Sequence, residues 1–124
     1  EIYYNIEQSE YYNLMQGSSL VLLPLVGNTI SGLVNIIRAA QLGIICSVSR
    51  TIATEQYYAE ENNDLLIESN EQSWADVINK IMTLTDKEYI DKAISYQQYI
   101  KQQFSPQNAV SILVKTINRK FLEA

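Results

Sequence analysis

The 124-residue chain has no histidine, one cysteine, two prolines and four glycines. Without histidine it has no Ser-His-Asp triad, no histidine-ligated zinc and no imidazole general base. A single cysteine, Cys46, excludes an intrachain disulfide and any multi-cysteine metal site. The longest apolar run, Leu20 to Val26, is far short of the ~20 residues that span a bilayer. Bases are scarce: nine Lys and Arg stand against fourteen Asp and Glu, a formal charge of −5. That balance lacks the basic footprint of a duplex-binding protein, and no nucleic-acid partner is expected. No basic stretch leading into an apolar one opens the chain, so a signal peptide is not expected and a cytoplasmic setting is. The chain lacks an initiator Met and starts inside an apolar run, which predicts a piece of a longer protein.

What is present is globular. Apolar residues make up 47% and charged residues 19%, and the length suits one domain. Residues 1–79 carry ten acids against Arg38 and Arg50; residues 80–124 carry seven bases against four acids. These read as two solvated surfaces of opposite sign. Nine tyrosines, several in pairs, suit amphipathic packing at the core boundary.

The pattern along the chain is that of an α/β fold. Ile2 to Asn5 suits a short strand. A helix follows near residues 7–16, capped by Asn5 or Ser9 and stopped by Gly17. Ser19 to Leu25 is continuously apolar, as in a parallel strand covered on both faces. A polar turn, Gly27 to Gly32, leads into a helix from Leu33 to Leu42 with Gly43 as its stop. Ile44 to Val48 is a second buried strand. Residues 50–61 form a loop with one short helix, and Asp64 to Glu68 is a third strand introduced by Asn62-Asn63. Three helices complete the chain. The first is capped by Ser73 and buries Trp74, Val77, Ile78 and Ile81. The second opens at Thr85 or Asp86, with Tyr89, Ile90, Ala93, Tyr96 and Ile100 in register. The third starts at Ser105-Pro106 and carries a stripe of Val110, Leu113, Val114, Ile117 and Phe121. Alternating strands and helices predict right-handed crossovers and a parallel sheet, with ligands at the carboxyl ends of its strands. The two candidate places are residues 24–32 and 47–54.

The order of these pieces resembles a known family. A strand ends in Leu-Pro; a polar loop reaches Gly32-Leu33-Val34-Asn35; a helix closes at Leu42-Gly43 and passes directly into a strand. Then come Asn62-Asn63-Asp64-Leu65-Leu66-Ile67, Trp74-Ala75-Asp76-Val77-Ile78, and Phe104-Ser105-Pro106 before a final helix. The series resembles the C-terminal part of the donor-binding domain of GT-B-type, two-glutamate glycosyltransferases, from about residue 6 to residue 121. The resemblance implies a three-layer Rossmann-like half-domain of three or four parallel strands, with 1–124 as a single fragment of that domain. It implies binding of a nucleotide sugar and transfer of the sugar to a glycan or lipid-linked acceptor held by a missing N-terminal lobe. On this reading the fragment alone is inactive, the setting is cytoplasmic or peripheral at the inner membrane face, and no metal or cofactor is required.

A loop feeding a helix N-terminus suits a diphosphate through its free amides and the helix dipole. The donor-binding candidates are therefore Asn28, Thr29, Ser31, Gly32 and Leu33, with Arg38 and Arg50 as phosphate partners. No catalytic residue is assigned. The chain departs from the family at its two glutamates. Depending on alignment, Ile30 and Arg38 or Ser31 and Ala39 stand in their places, and neither pair supplies a carboxylate. The alternative is a degenerate, non-catalytic interaction domain. A receiver-like domain is disfavoured because no aspartate precedes residue 64. The loop 27–32 is not a Walker or dinucleotide motif. Ser47, Ser49 and Thr51 are read as the turn after the second strand, and Cys46 as a buried structural thiol. The acidic set Glu55, Glu60, Glu61 and Asp64 lacks the spacing of a calcium loop. Two upstream strands of the family domain are missing, so the Leu20–Leu25 strand is expected to show an uncovered edge. Either Ile2–Asn5 fills that place or the chain self-associates through it.

Overall fold

A computed structural model describes residues 2–25 and 33–122. Nine elements follow in order: α1 (Gln8–Gln16), β1 (Leu20–Leu23), α2 (Val34–Gln41), β2 (Ile45–Ser49), α3 (Ile52–Glu55), β3 (Leu66–Ile67), α4 (Glu71–Met82), α5 (Asp86–Gln103) and α6 (Pro106–Leu122). A 3-10 helix, Glu60–Leu65, runs directly into β3. The fold is α/β and Rossmann-like: a short parallel sheet of order β1-β2-β3, flanked by helices.

Leu20 to Leu23 pair with Ile45 to Val48, and Val48 and Ser49 pair with Leu66 and Ile67. The central strand β2 is buried along its whole length. β1 is an edge strand and only half-buried, so its unbroken apolarity does not reflect cover on both faces. Ile2–Asn5 is not a strand and does not fill that edge. Ile2 and Tyr4 are exposed, and Asn5 has φ +51°, which breaks an extended run.

The helices start and stop for identifiable reasons. The end of α2 turns over Gly43 at φ +74°, where the Gly43 amide donates to the Ala40 carbonyl and the Ile44 amide to that of Ala39. Only glycine accepts that left-handed backbone without strain. Thr85 caps α5 through the Glu88 amide. The cap of α4 is Asn70, whose side chain accepts from the Ser73 amide; Ser73 itself lies in the first turn. Similarly, α1 begins after Glu7 rather than at Asn5 or Ser9.

The core joins β2 to α2, α4 and α5 through Ile36, Ile45, Val48, Leu65, Val77, Tyr96 and their neighbours. Two buried tyrosines tie it together. The Tyr58 and Tyr96 rings stack with centroids 5.5 Å apart. Tyr58 donates to the Cys46 carbonyl in β2, and Tyr96 donates to the Ile36 carbonyl in α2. Two residues assigned to buried stripes, Ile78 and Ile90, are exposed instead. The stripe of α6 is also uncovered: Val110, Leu113, Val114 and Ile117 all face solvent.

Candidate functional site

In a parallel sheet every strand leaves at the same end, and here hydrogen bonds tie those exits together. The Leu25 amide, just past β1, donates to Ser49 Oγ at 2.8 Å. The Arg50 amide donates to the Ile67 carbonyl at 2.9 Å, which joins the ends of β2 and β3. A recess of about 300 Å³ between Pro24, Leu25, Ser69, Asn70 and Trp74 sets the exit of β1 against the start of α4.

Two helices beginning near this end carry side-chain caps. Thr51 Oγ1 accepts from the Thr54 amide at 3.1 Å, and Thr54 Oγ1 accepts from the Thr51 amide at 2.8 Å. Thr54 also donates to the Ser49 carbonyl, locking α3 onto β2. Asn70 caps α4 in the same way. Before α2, Leu33 already has helical backbone and its side chain makes no cap; the residues ahead of it lie outside the described ones.

Asn28, Thr29, Ser31 and Gly32 lie outside the described residues. Leu33 stands at the head of α2 with its side chain in the core, so its contribution to a ligand is restricted to backbone. Arg38 lies more than a turn further along α2, its guanidinium 5.6 Å from the centre of the Tyr12 ring on α1. It is thus turned toward α1. Arg50 does sit at the strand exits, ion-paired with Glu55 at 3.6 Å and Glu68 at 3.5 Å. Its guanidinium also donates to the Asn63 and Leu66 carbonyls. Two carboxylates facing one guanidinium leave no net positive charge there. Both partners are exposed, so these pairs are weak and exchangeable.

Ser47 and Ser49 do not belong to a surface turn. Both are buried within β2; Ser47 donates to the Leu65 carbonyl and Ser49 holds Leu25. Alternation explains the difference: β2 runs one residue beyond Val48, and the hydroxyls of Ser47 and Ser49 meet backbone groups inside the sheet. Cys46 is buried, and burial pushes its thiol up to about 12, which leaves it inert at neutral pH.

The acidic loop residues resolve into a network. Lys92 donates to Asp64 at 3.0 Å and to Asn62 at 3.2 Å, Lys80 donates to Asp64 at 2.7 Å, and Ser95 links Asn62 to Glu61. Burial on its own would raise the Asp64 carboxyl, but the two lysines outweigh it and hold the group below its ordinary value. Sequence spacing gave no signal for this network, because its partners come from α4 (Lys80) and, about thirty residues away, from α5 (Lys92 and Ser95). Among the described residues, no group of three or more carboxylate or thiol side chains is arranged to hold a metal ion. Comparison with protein-family models, with curated proteins and with solved structures finds no match in any of the three.

Proposed function

We propose that this chain is the donor-binding part of a glycosyltransferase, with the diphosphate of a nucleotide sugar at the carboxyl ends of β1 and β2. The observation that carries the reading is the Leu25–Ser49 hydrogen bond. It fixes the exit of β1 beside that of β2, and the chain then passes through residues 26–32 to the start of α2. Crevices at this end of parallel sheets are where such folds take ligands. Free amides at the head of a helix suit a phosphate better than a sugar. Arg50 supplies a planar donor set on the other side, once phosphate replaces Glu55 or Glu68 as its partner. Sugar transfer by positioning and charge stabilisation also needs an acceptor wall, which a second lobe would provide. Binding rather than turnover is therefore the property to measure on this chain.

A second reading, a degenerate interaction domain, draws on the lack of a carboxylate at either glutamate position of the resembled family. Amide chemical-shift titration with UDP, GDP and TDP separates the two. Donor binding predicts shifts at Leu33 to Ile36 and at Arg50 and Thr51 with at least one nucleotide. No shift with any of them, or shifts confined to α6, leaves the interaction reading in possession.

A further inference from the structure

Helix α6 stands clear of the body. Every residue from Ala109 to Lys120 is exposed. Val110, Leu113, Val114 and Ile117 recur at helical spacing on one side and are 47% to 59% exposed. The segment from Pro106 to Leu122 holds three bases, Lys115, Arg119 and Lys120, and no acid. At about 100° per residue, Lys115 and Arg119 lie opposite the stripe together with Ile112, which is 57% exposed, and Lys120 lies at the stripe's border. Helices in proteins draw most of their stability from packing of an apolar face, so the apolar side needs a cover.

The body of a second copy offers a poor one. The recess at the root of α6, floored by Ile37, Ala40, Ile100 and Phe104, holds about 580 Å³. A helix ~25 Å long and ~10 Å across needs several times that volume. Lys101 also lines this recess and repels the bases of α6. No helix of the described residues is long and apolar enough to cross a membrane. A helix with a four-residue aliphatic stripe, two bases and only Ile112 as a large apolar residue opposite it, and no acids fits an interface instead. Its apolar side sinks to the acyl boundary while its bases meet lipid phosphates.

We propose that α6 docks the chain onto anionic lipid surfaces, with the Val110–Leu113–Val114–Ile117 stripe in the interface and Lys115, Arg119 and Lys120 on the phosphates. The acidic stretch 1–79 is repelled by the same surface, so the body is held off and the helix lies flat. The inference stands apart from the donor-binding reading, and failure of one leaves the other standing.

Co-sedimentation of the 124-residue chain with vesicles tests it, using phosphatidylcholine alone and phosphatidylcholine mixed with phosphatidylglycerol. Binding is expected only with the anionic lipid, weakening as salt rises. Leu113→Glu should weaken it at least about tenfold, as should the combined change Lys115→Gln, Arg119→Gln and Lys120→Gln. All four side chains are exposed, so an unchanged thermal melt shows that the body of each variant is intact. Failure to bind, or equal binding to both vesicle types, overturns the proposal. A lipid-free dimer that Leu113→Glu returns to monomer overturns it too, and assigns the stripe to a second copy.

Discussion

The backbone amide of Leu25 donates to Ser49 Oγ across the carboxyl end of the sheet, 2.8 Å away, and so couples the edge strand to the central one beyond their last ladder bond. Ser49 is buried, so removing its oxygen orphans the Leu25 amide without opening a large cavity. Ser49→Ala should cost about 1–3 kcal/mol in urea unfolding. Ser49→Thr keeps the acceptor and should cost less if the added methyl is accommodated. Under the donor-binding reading, Ser49→Ala should also weaken nucleotide shifts at Leu33 to Ile36. A variant as stable as the parent would mean that the hydrogen bond does not hold β1 in solution.

Gly43 gives a cleaner backbone test. A Cβ built on it meets nothing within 4 Å, yet its φ is +74°. Gly43→Ala therefore measures left-handed strain alone, about 1–2 kcal/mol. Gly43→Asn should lose less, because asparagine tolerates this backbone region. Equal losses for alanine and asparagine would point to a cause other than φ.

These two sites show which features were legible in the sequence. Gly43 stood between a helical stripe and an apolar run, and the local pattern sufficed to place it. The parallel α/β class was legible for the same reason, since β2 is short, apolar and flanked by helical periods. β1 is equally apolar but lies at an edge; apolarity records composition, whereas cover depends on neighbours that a local pattern does not specify. Asp64 to Glu68 carried a strand signal over five residues, and only Leu66 and Ile67 pair. Asn62 is drawn onto α5 by Ser95 and Lys92, and the residues before β3 wind into a 3-10 helix. The stripe of α6 was legible as a pattern; its lack of a neighbour was not. Of the site candidates, Arg50 lies at the strand exits, as its place after β2 suggests, while its two carboxylate partners come from the separate segments after β2 and β3. The contact of Arg38 with Tyr12 was not legible, because nothing in the local pattern places α1 beside α2.

Asp64 is expected to govern acid stability. Its carboxyl lies below its ordinary value of 3.8 because Lys80 and Lys92 outweigh the effect of burial. A depressed folded value contributes stability that is present above the unfolded value and lost as pH falls through the folded one. The acid limb of the stability curve should therefore begin near pH 4, and Asp64→Asn should flatten it. Lys92 is the more buried of the two lysines, with 16% side-chain exposure against 55% for Lys80. Losing the shared carboxylate strands Lys92 more than Lys80. Asp64→Asn should cost about 1–3 kcal/mol at neutral pH, and Lys80→Ala less than about 1 kcal/mol. An unchanged acid limb in Asp64→Asn would remove this pair from the account.

At the alkaline end the same linkage runs through Cys46, Tyr58 and Tyr96. Burial is the largest cause in each case: it pushes the Cys46 thiol from 9.0 to about 12 and holds both phenols above 10.0. Above those ordinary values the unfolded chain releases protons that the folded chain keeps. Stability is then full below pH 9 and falls as pH rises, by about 1.4 kcal/mol per pH unit for each group. Through Cys46 the decline starts near pH 9, and through the tyrosines near pH 10. All three act in the same direction, so the loss steepens once pH passes 10. The chain should therefore unfold cooperatively at alkaline pH, with the tyrosinate absorbance of Tyr58 and Tyr96 appearing together with loss of helix signal. Cys46→Ala should delay the onset by removing its earliest contributor. Tyr96→Phe should reduce the slope above pH 10, at the cost of about 1 kcal/mol for the hydrogen bond to Ile36. Ionisation of either phenol while the helix signal is intact would show that the stacked pair is open to water and is not the sealed centre of the core.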